Sequence, residues 1–117
     1  MGDIMKLAII GSRSLYIIDL SKYIPSGVSE IVSGGARGID TSARNYALKN
    51  GIKLTEFLPN YRQYGRIAPL KRNIQIVDYA DEILAFWDGK STGTVYTVRQ
   101  ARLKNKKVTV YRKIVTW

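Results

Sequence analysis

A short apolar strand that runs into a glycine-rich turn and then a helix organises this chain: Glu30-Ile31-Val32-Ser33-Gly34-Gly35-Ala36-Arg37-Gly38-Ile39-Asp40. Ile31 and Val32 are apolar and β-branched, as a central strand requires. Gly34, Gly35 and Gly38 permit close approaches that a Cβ forbids. Ile39, Ala43, Tyr46 and Ala47 then recur at helical spacing. Such a turn aims unpaired backbone N–H groups and the positive end of a helix dipole at one spot, which suits an anion. Arg37 adds a fixed positive charge. The same residues also suffice for a tight turn that binds nothing, so the rest of the chain has to decide.

The rest of the chain repeats the strand–turn–helix unit. Residues 5–10 read as a strand that is apolar nearly throughout and so buried on both faces. Gly11-Ser12-Arg13-Ser14 follows as a polar turn, and residues 15–24 read as a helix closed by Pro25-Ser26-Gly27. The strand at 30–33 feeds a helix over 39–50, stopped by Asn50-Gly51. Residues 52–58 read as the third strand, and residues 61–68, with Tyr61, Arg62, Tyr64 and Arg66, as a basic, aromatic loop. Pro69 opens a helix whose apolar face is Leu70, Ile74 and Val77. A strand at 82–87, a helix at 94–104 and a strand at 108–111 complete the pattern, before an apolar-aromatic tail at 113–117. This alternation predicts one α/β domain over residues 1–117. Its sheet is Rossmann-like, doubly wound and parallel, with five strands in the order 3-2-1-4-5 and helices on both faces.

In such a sheet, ligands bind beyond the carboxyl ends of the strands where the order reverses, here between strands one and four. Three polar turns converge there: Gly11 to Arg13, Gly34 to Asp40, and Asp88 to Thr94. Two of them open helices. Ser91, Thr92 and Thr94 serve equally as helix caps or as hydroxyl donors to a phosphate. Asp40 serves equally as a first-turn acid or as an acceptor for a ribose hydroxyl. Gly-x-Gly-x-x-Gly is absent after the first strand. Gly89-Lys90-Ser91 lacks the preceding glycine of a phosphate-binding P-loop. With no cysteine and no histidine, disulfides, thiolate chemistry, Ser-His-Asp catalysis and the usual zinc sites are excluded. No metal and no cofactor is expected. The net charge of +10 favours anionic partners: nucleotides, nucleic acid or acidic surfaces. No apolar run has transmembrane length and no signal-peptide pattern opens the chain, so a cytoplasmic protein without a membrane partner is expected.

Gly11-Ser12-Arg13, Ser33 to Asp40, Arg72-Asn73 and Ala80 to Thr94 resemble, in order and spacing, the SMF/DprA–LOG (SLOG) superfamily. The likeness is to its small stand-alone branch of YspA/YpsA-related proteins and covers nearly the whole chain. It implies a Rossmann-like fold that binds nucleotides or nucleotide-derived ligands, with Arg13, Gly34, Gly35, Arg37, Arg72, Gly93 and Thr94 around the ligand. Gly11, Ser12, Gly38, Asp40, Asn73, Ser91 and Thr92 complete the candidate phosphate-binding set.

Two relatives sharpen the alternatives. Lonely Guy-type phosphoribohydrolases carry Pro-Gly-Gly-x-Gly-Thr-x-x-Glu and an upstream arginine. Arg72 matches that arginine and Gly93-Thr94 the Gly-Thr, but the glutamate position falls on Thr97. A threonine neither stabilises an oxocarbenium charge nor activates water as a carboxylate does. For a nucleotide N-glycosidase the catalytic candidates are then Arg72 and Asp88. DNA-processing protein A binds single-stranded DNA. Its Gly-x-Ala-Arg-Gly-Ile-Asp turn resembles residues 34–40, and its Arg-Asn-x-x-Ile pattern resembles residues 72–76. In that reading Tyr61 and Tyr64 stack bases while Arg62 and Arg66 track phosphates.

The primary expectation is a binding domain for a nucleotide or nucleotide-like ligand. Its phosphate lies at the N-termini of the second and fourth helices, paired by Arg37 and Arg72, with Trp87 or a loop tyrosine covering the base. Arg72→Ala is expected to weaken binding and leave the fold intact. The tail ending in Trp117 predicts a homo-oligomer.

Overall fold

Alternation along the strands decides what lies on each side of the sheet. The computed structural model describes residues 5–113. Its strands are β1 (Met5–Gly11), β2 (Val28–Ser33), β3 (Lys53–Glu56), β4 (Glu82–Trp87) and β5 (Lys107–Arg112). They form one parallel sheet in the order β3-β2-β1-β4-β5, as predicted. The helices are α1 (Ile39–Lys49), α2 (Tyr61–Tyr64), α3 (Ala68–Tyr79) and α4 (Thr92–Leu103). Leu7 and Ile9 enter one core with Ile31, Leu84 and Phe86, under Ile39, Ala43 and Ala47 of α1. Ala8 and Ile10 enter the other with Val32, Ile83 and Ala85, under Ile76 and Val77 of α3 and Val98 and Ala101 of α4. This doubly covered parallel arrangement is the α/β Rossmann-like fold.

The predicted helix at 15–24 does not form. That segment is irregular, with a single 3-10 turn at Ser21–Tyr23. Leu15 and Leu20 are buried in the α1-side core, while Ile18 between them is 92% exposed. A spacing of five residues puts those two leucines on different sides of a helix, so no single helical face satisfies both. One bond to α1 and one local bond hold the segment instead: Ile17 N–H donates to Ser42 Oγ of α1 at 2.8 Å, and Ser21 N–H to Asp19 Oδ1 within the segment at 2.9 Å.

The segment at 61–68 is helical rather than a loop. Asn60 Oδ1 accepts from Gln63 N–H at 3.1 Å and caps α2. A 3-10 turn, Gly65–Ile67, then leads into α3. Asn60 therefore marks the start of a helix. Beyond Lys113, the tail that carries the homo-oligomer expectation lies outside the described residues. Among the described residues, no helix is long and apolar enough to cross a membrane.

Candidate functional site

Because β1 and β4 are neighbours whose chains leave in opposite directions, the turns at their carboxyl ends diverge and open a crevice. The result is a cleft of about 630 Å³. Its walls come from Gly11 and Arg13 after β1, Arg37 and Asp40 after β2, Arg72 and Asn73 of α3, and Asp88 with Lys90 to Thr94 after β4. A side groove of about 300 Å³ shares Arg13, Ala36, Arg37 and Arg72 with the cleft and adds Gly34, Gly35, Pro59 and Tyr61. The three turns thus meet, as the sequence predicts.

Ser12 and Gly38 line neither hollow; they hold the turns together. Ser12 is buried. Its Oγ accepts from Asp88 N–H at 3.1 Å, and its carbonyl accepts from the N–H groups of Leu15 and Ile39 at 3.2 and 3.5 Å. One residue therefore fixes all three turns. Gly38, the N-cap of α1, has φ 77° and ψ −126°, and a Cβ there would stand 2.5 Å from the Arg13 carbonyl oxygen. The β1 turn rests directly on the β2 turn, which brings Arg13 and Arg37 to one rim. Both arginines are exposed. Among the described residues neither forms an ion pair. Their charge is available to an anion.

Arg72 is different, because it is built into the floor. It is 6% exposed. Its Nη1 donates to the Gly34 carbonyl and, at 3.4 Å, to the Phe57 carbonyl, and its Nε donates to Asn73 Oδ1 at 2.7 Å. A Cβ at Gly34 would stand 2.7 Å from the guanidinium carbon, so glycine is what lets the arginine lie across the turn. Asp40 is buried beside it, with Oδ2 accepting from Ala36 N–H at 3.1 Å. Burial pushes the Asp40 carboxyl up from its ordinary value, while the Ala36 N–H and the Arg72 charge pull it back. Burial likewise lowers the Arg72 value against the pull of Asp40. Asp40 already supplies a carboxylate to the first turn of α1. The open positive helix end is that of α4.

At that end Ser91 is the N-cap. Its Oγ accepts from Thr94 N–H at 3.4 Å and lies 3.1 Å from Thr94 Oγ1. The first-turn N–H groups of Thr92 and Gly93 have no acceptor within the helix and none elsewhere among the described residues. Asp88 Oδ2 accepts from Ser14 Oγ–H at 2.7 Å, and its Oδ1 accepts from the N–H groups of Lys90 and Ser91, both at 2.8 Å. The Ser14 hydroxyl first, then those two N–H groups, hold its carboxyl well below the usual carboxylate range. Asp88 is thus an ionised loop-former with both oxygens engaged. Thr97 Oγ1 donates to the Gly93 carbonyl at 2.8 Å, so the position of the hydrolase glutamate holds a hydroxyl tied to its own helix. Ser91→Ala removes the cap and is expected to cost about 1 kcal/mol, read as a lowered urea midpoint with an unchanged slope.

Trp87 does not face the cleft. Its Nε1 donates to the Ser91 carbonyl at 3.1 Å, and its ring lines a separate groove against α4. Tyr61 does reach the side groove, where it is 56% exposed. Tyr64 sits under Lys71 Nζ, 5.8 Å from its ring centre, and neither Arg62 nor Arg66 lines either hollow. Lys90, which the turn pattern set aside with Gly89 and Ser91, lines the cleft. Its signal was its place in a polar turn at a strand's carboxyl end.

No protein-family model matches the chain, and no curated protein does. Two solved structures share its fold. DNA processing protein A from Streptococcus pneumoniae superposes with a TM-score of 0.70 at 20% identity, over 92% of this chain and 50% of that one. DNA processing protein A from Helicobacter pylori superposes with a TM-score of 0.68 at 24% identity, over 91% of this chain and 64% of that one. The latter structure is described as showing a single-stranded DNA binding mode. The chain spans less than two thirds of each neighbour.

Proposed function

We propose that the cleft and its side groove form a track for single-stranded DNA. The observation that carries this reading is the shared wall: Arg13, Arg37 and Arg72 border both hollows, with Lys90 in one and Tyr61 in the other. A run of cations with an exposed aromatic face beside it suits a strand that lays phosphates on the charges and a base on the ring. The net charge of +10 and the fold shared with a single-stranded DNA-binding protein support the same reading. The reaction class is binding without turnover, because Thr97 replaces the hydrolase glutamate and Asp88 is engaged in its loop.

Oligothymidylate binding, followed by fluorescence anisotropy, tests it. Tyr61→Ala is expected to cost about 1–3 kcal/mol of affinity, the worth of one stacked base. An unchanged affinity contradicts the track. A second reading, a bound nucleoside monophosphate, is favoured by the cleft volume of about 630 Å³, which lies within the usual span for small-ligand pockets. Under that reading a mononucleotide competes as well as the oligomer; under the first, affinity rises with oligomer length.

A further inference from the structure

We infer that the groove between α4 and β5 docks an acidic, apolar-faced segment of another protein. This groove, about 490 Å³, shares only Thr94 with the cleft. Its floor is Trp87, Val98 and Val110. Val95 and Leu103 flank it on α4 and are 37% and 70% exposed, while Val110 on edge strand β5 is 36% exposed. Among the described residues no strand pairs with the outer edge of β5. Apolar side chains held open in a concave strip mark an interaction surface.

Charge selects the occupant. The charged residues lining the groove are Arg99 and Arg102. Neither forms an ion pair among the described residues, whereas neighbouring Lys104 and Lys107 are paired with Asp78 and Glu82. Val95, Arg99 and Arg102 follow helical spacing, with Val98 and Leu103 beside them, so apolar and cationic groups run together for about 12 Å along α4. A second copy of this chain carries +10 and brings the same arginines to the contact. A nucleic acid satisfies the arginines but offers no aliphatic side chain to the floor. An amphipathic helical segment with two or three large apolar residues on one face and Asp or Glu beside them satisfies both.

The probe is a labelled synthetic peptide of about fourteen residues, long enough for the strip, with leucines on one helical face and glutamates flanking them. One control has serine for each leucine; the other has lysine for each glutamate. The leucine–glutamate peptide is expected to bind at least about ten-fold tighter than either control. Arg99→Glu combined with Arg102→Glu should abolish the difference. The exposed change Leu103→Ser should weaken binding by about ten-fold with an unchanged melting temperature. All variants should keep the wild-type affinity for oligothymidylate. Equal binding of the leucine and serine peptides means general charge attraction and overturns the proposal. So does a groove indifferent to these substitutions, or a self-association in sedimentation that Leu103→Ser dissolves.

Discussion

Replacing Arg72 by alanine is expected to lower the melting temperature by roughly 10–25 °C, at about 3–5 °C per kcal/mol for a domain of this size. The side chain is buried and donates to the carbonyls of Gly34 and Phe57, which close β2 and follow β3. Alanine leaves those acceptors and the Asp40 carboxylate without their cation. Breaking a buried charged set from one side costs about 3–5 kcal/mol. The sequence alone predicts that the fold survives this change; the buried guanidinium and its carbonyl partners predict the opposite. Arg72→Lys should fail nearly as badly, because an ammonium cannot reproduce the planar fork. Adding Asp40→Asn to Arg72→Ala should recover part of the loss, since it removes the charge left uncompensated. Calorimetry checks all three. A melting temperature for Arg72→Ala within a few degrees of wild type sinks the structural role.

Gly38→Val should be the most damaging single change in the turns. The backbone sits at φ 77° and ψ −126°, a region that residues with a Cβ occupy at about 1–3 kcal/mol of strain. The new Cβ would also meet the Arg13 carbonyl oxygen at 2.5 Å and its carbon at 2.7 Å. Forcing backbone apart in a packed site adds about 1–3 kcal/mol. Gly38→Ala should suffer most of the same loss, because the conflict lies at Cβ. Gly51→Ala is the control: its φ is 63°, but nothing lies within 4 Å of its added Cβ, so only the left-handed backbone cost of about 1–2 kcal/mol applies. Urea midpoints compare the three. If Gly38→Ala unfolds with Gly51→Ala, the contact between the turns is not what orders the rim.

Strand order and the meeting of the turns were legible because they follow from local pattern. Runs such as Leu7 to Ile10 and Ile83 to Phe86 are short, apolar and bounded by polar turns, as buried strands are, and parallel crossovers then fix where their ends converge. What failed depended on distant partners. The segment at 15–24 is rich in apolar residues, but its conformation is set by Ser42 and by the core under Leu15 and Leu20. The structural part of Arg72's role was hidden because its carbonyl partners, 38 and 15 positions away, leave no mark in the sequence. Trp87 is tied by its Nε1 to the Ser91 carbonyl and lines the groove against α4 rather than the cleft. Asp40 carried both readings from the start. Its bond to Ala36 N–H shows it at work inside the turn.

The salt dependence of oligothymidylate binding tests the electropositive rim most directly. Wild type, Arg13→Ala, Arg37→Ala and the double variant are titrated over a range of salt. Arg13 and Arg37 are exposed and unpaired among the described residues, so melting temperatures should not move. Each removed phosphate contact should flatten the log–log slope by about 0.7, and the pair by about 1.4. A wild-type slope that both arginines can leave without changing would contradict the assignment of this cleft to the DNA backbone.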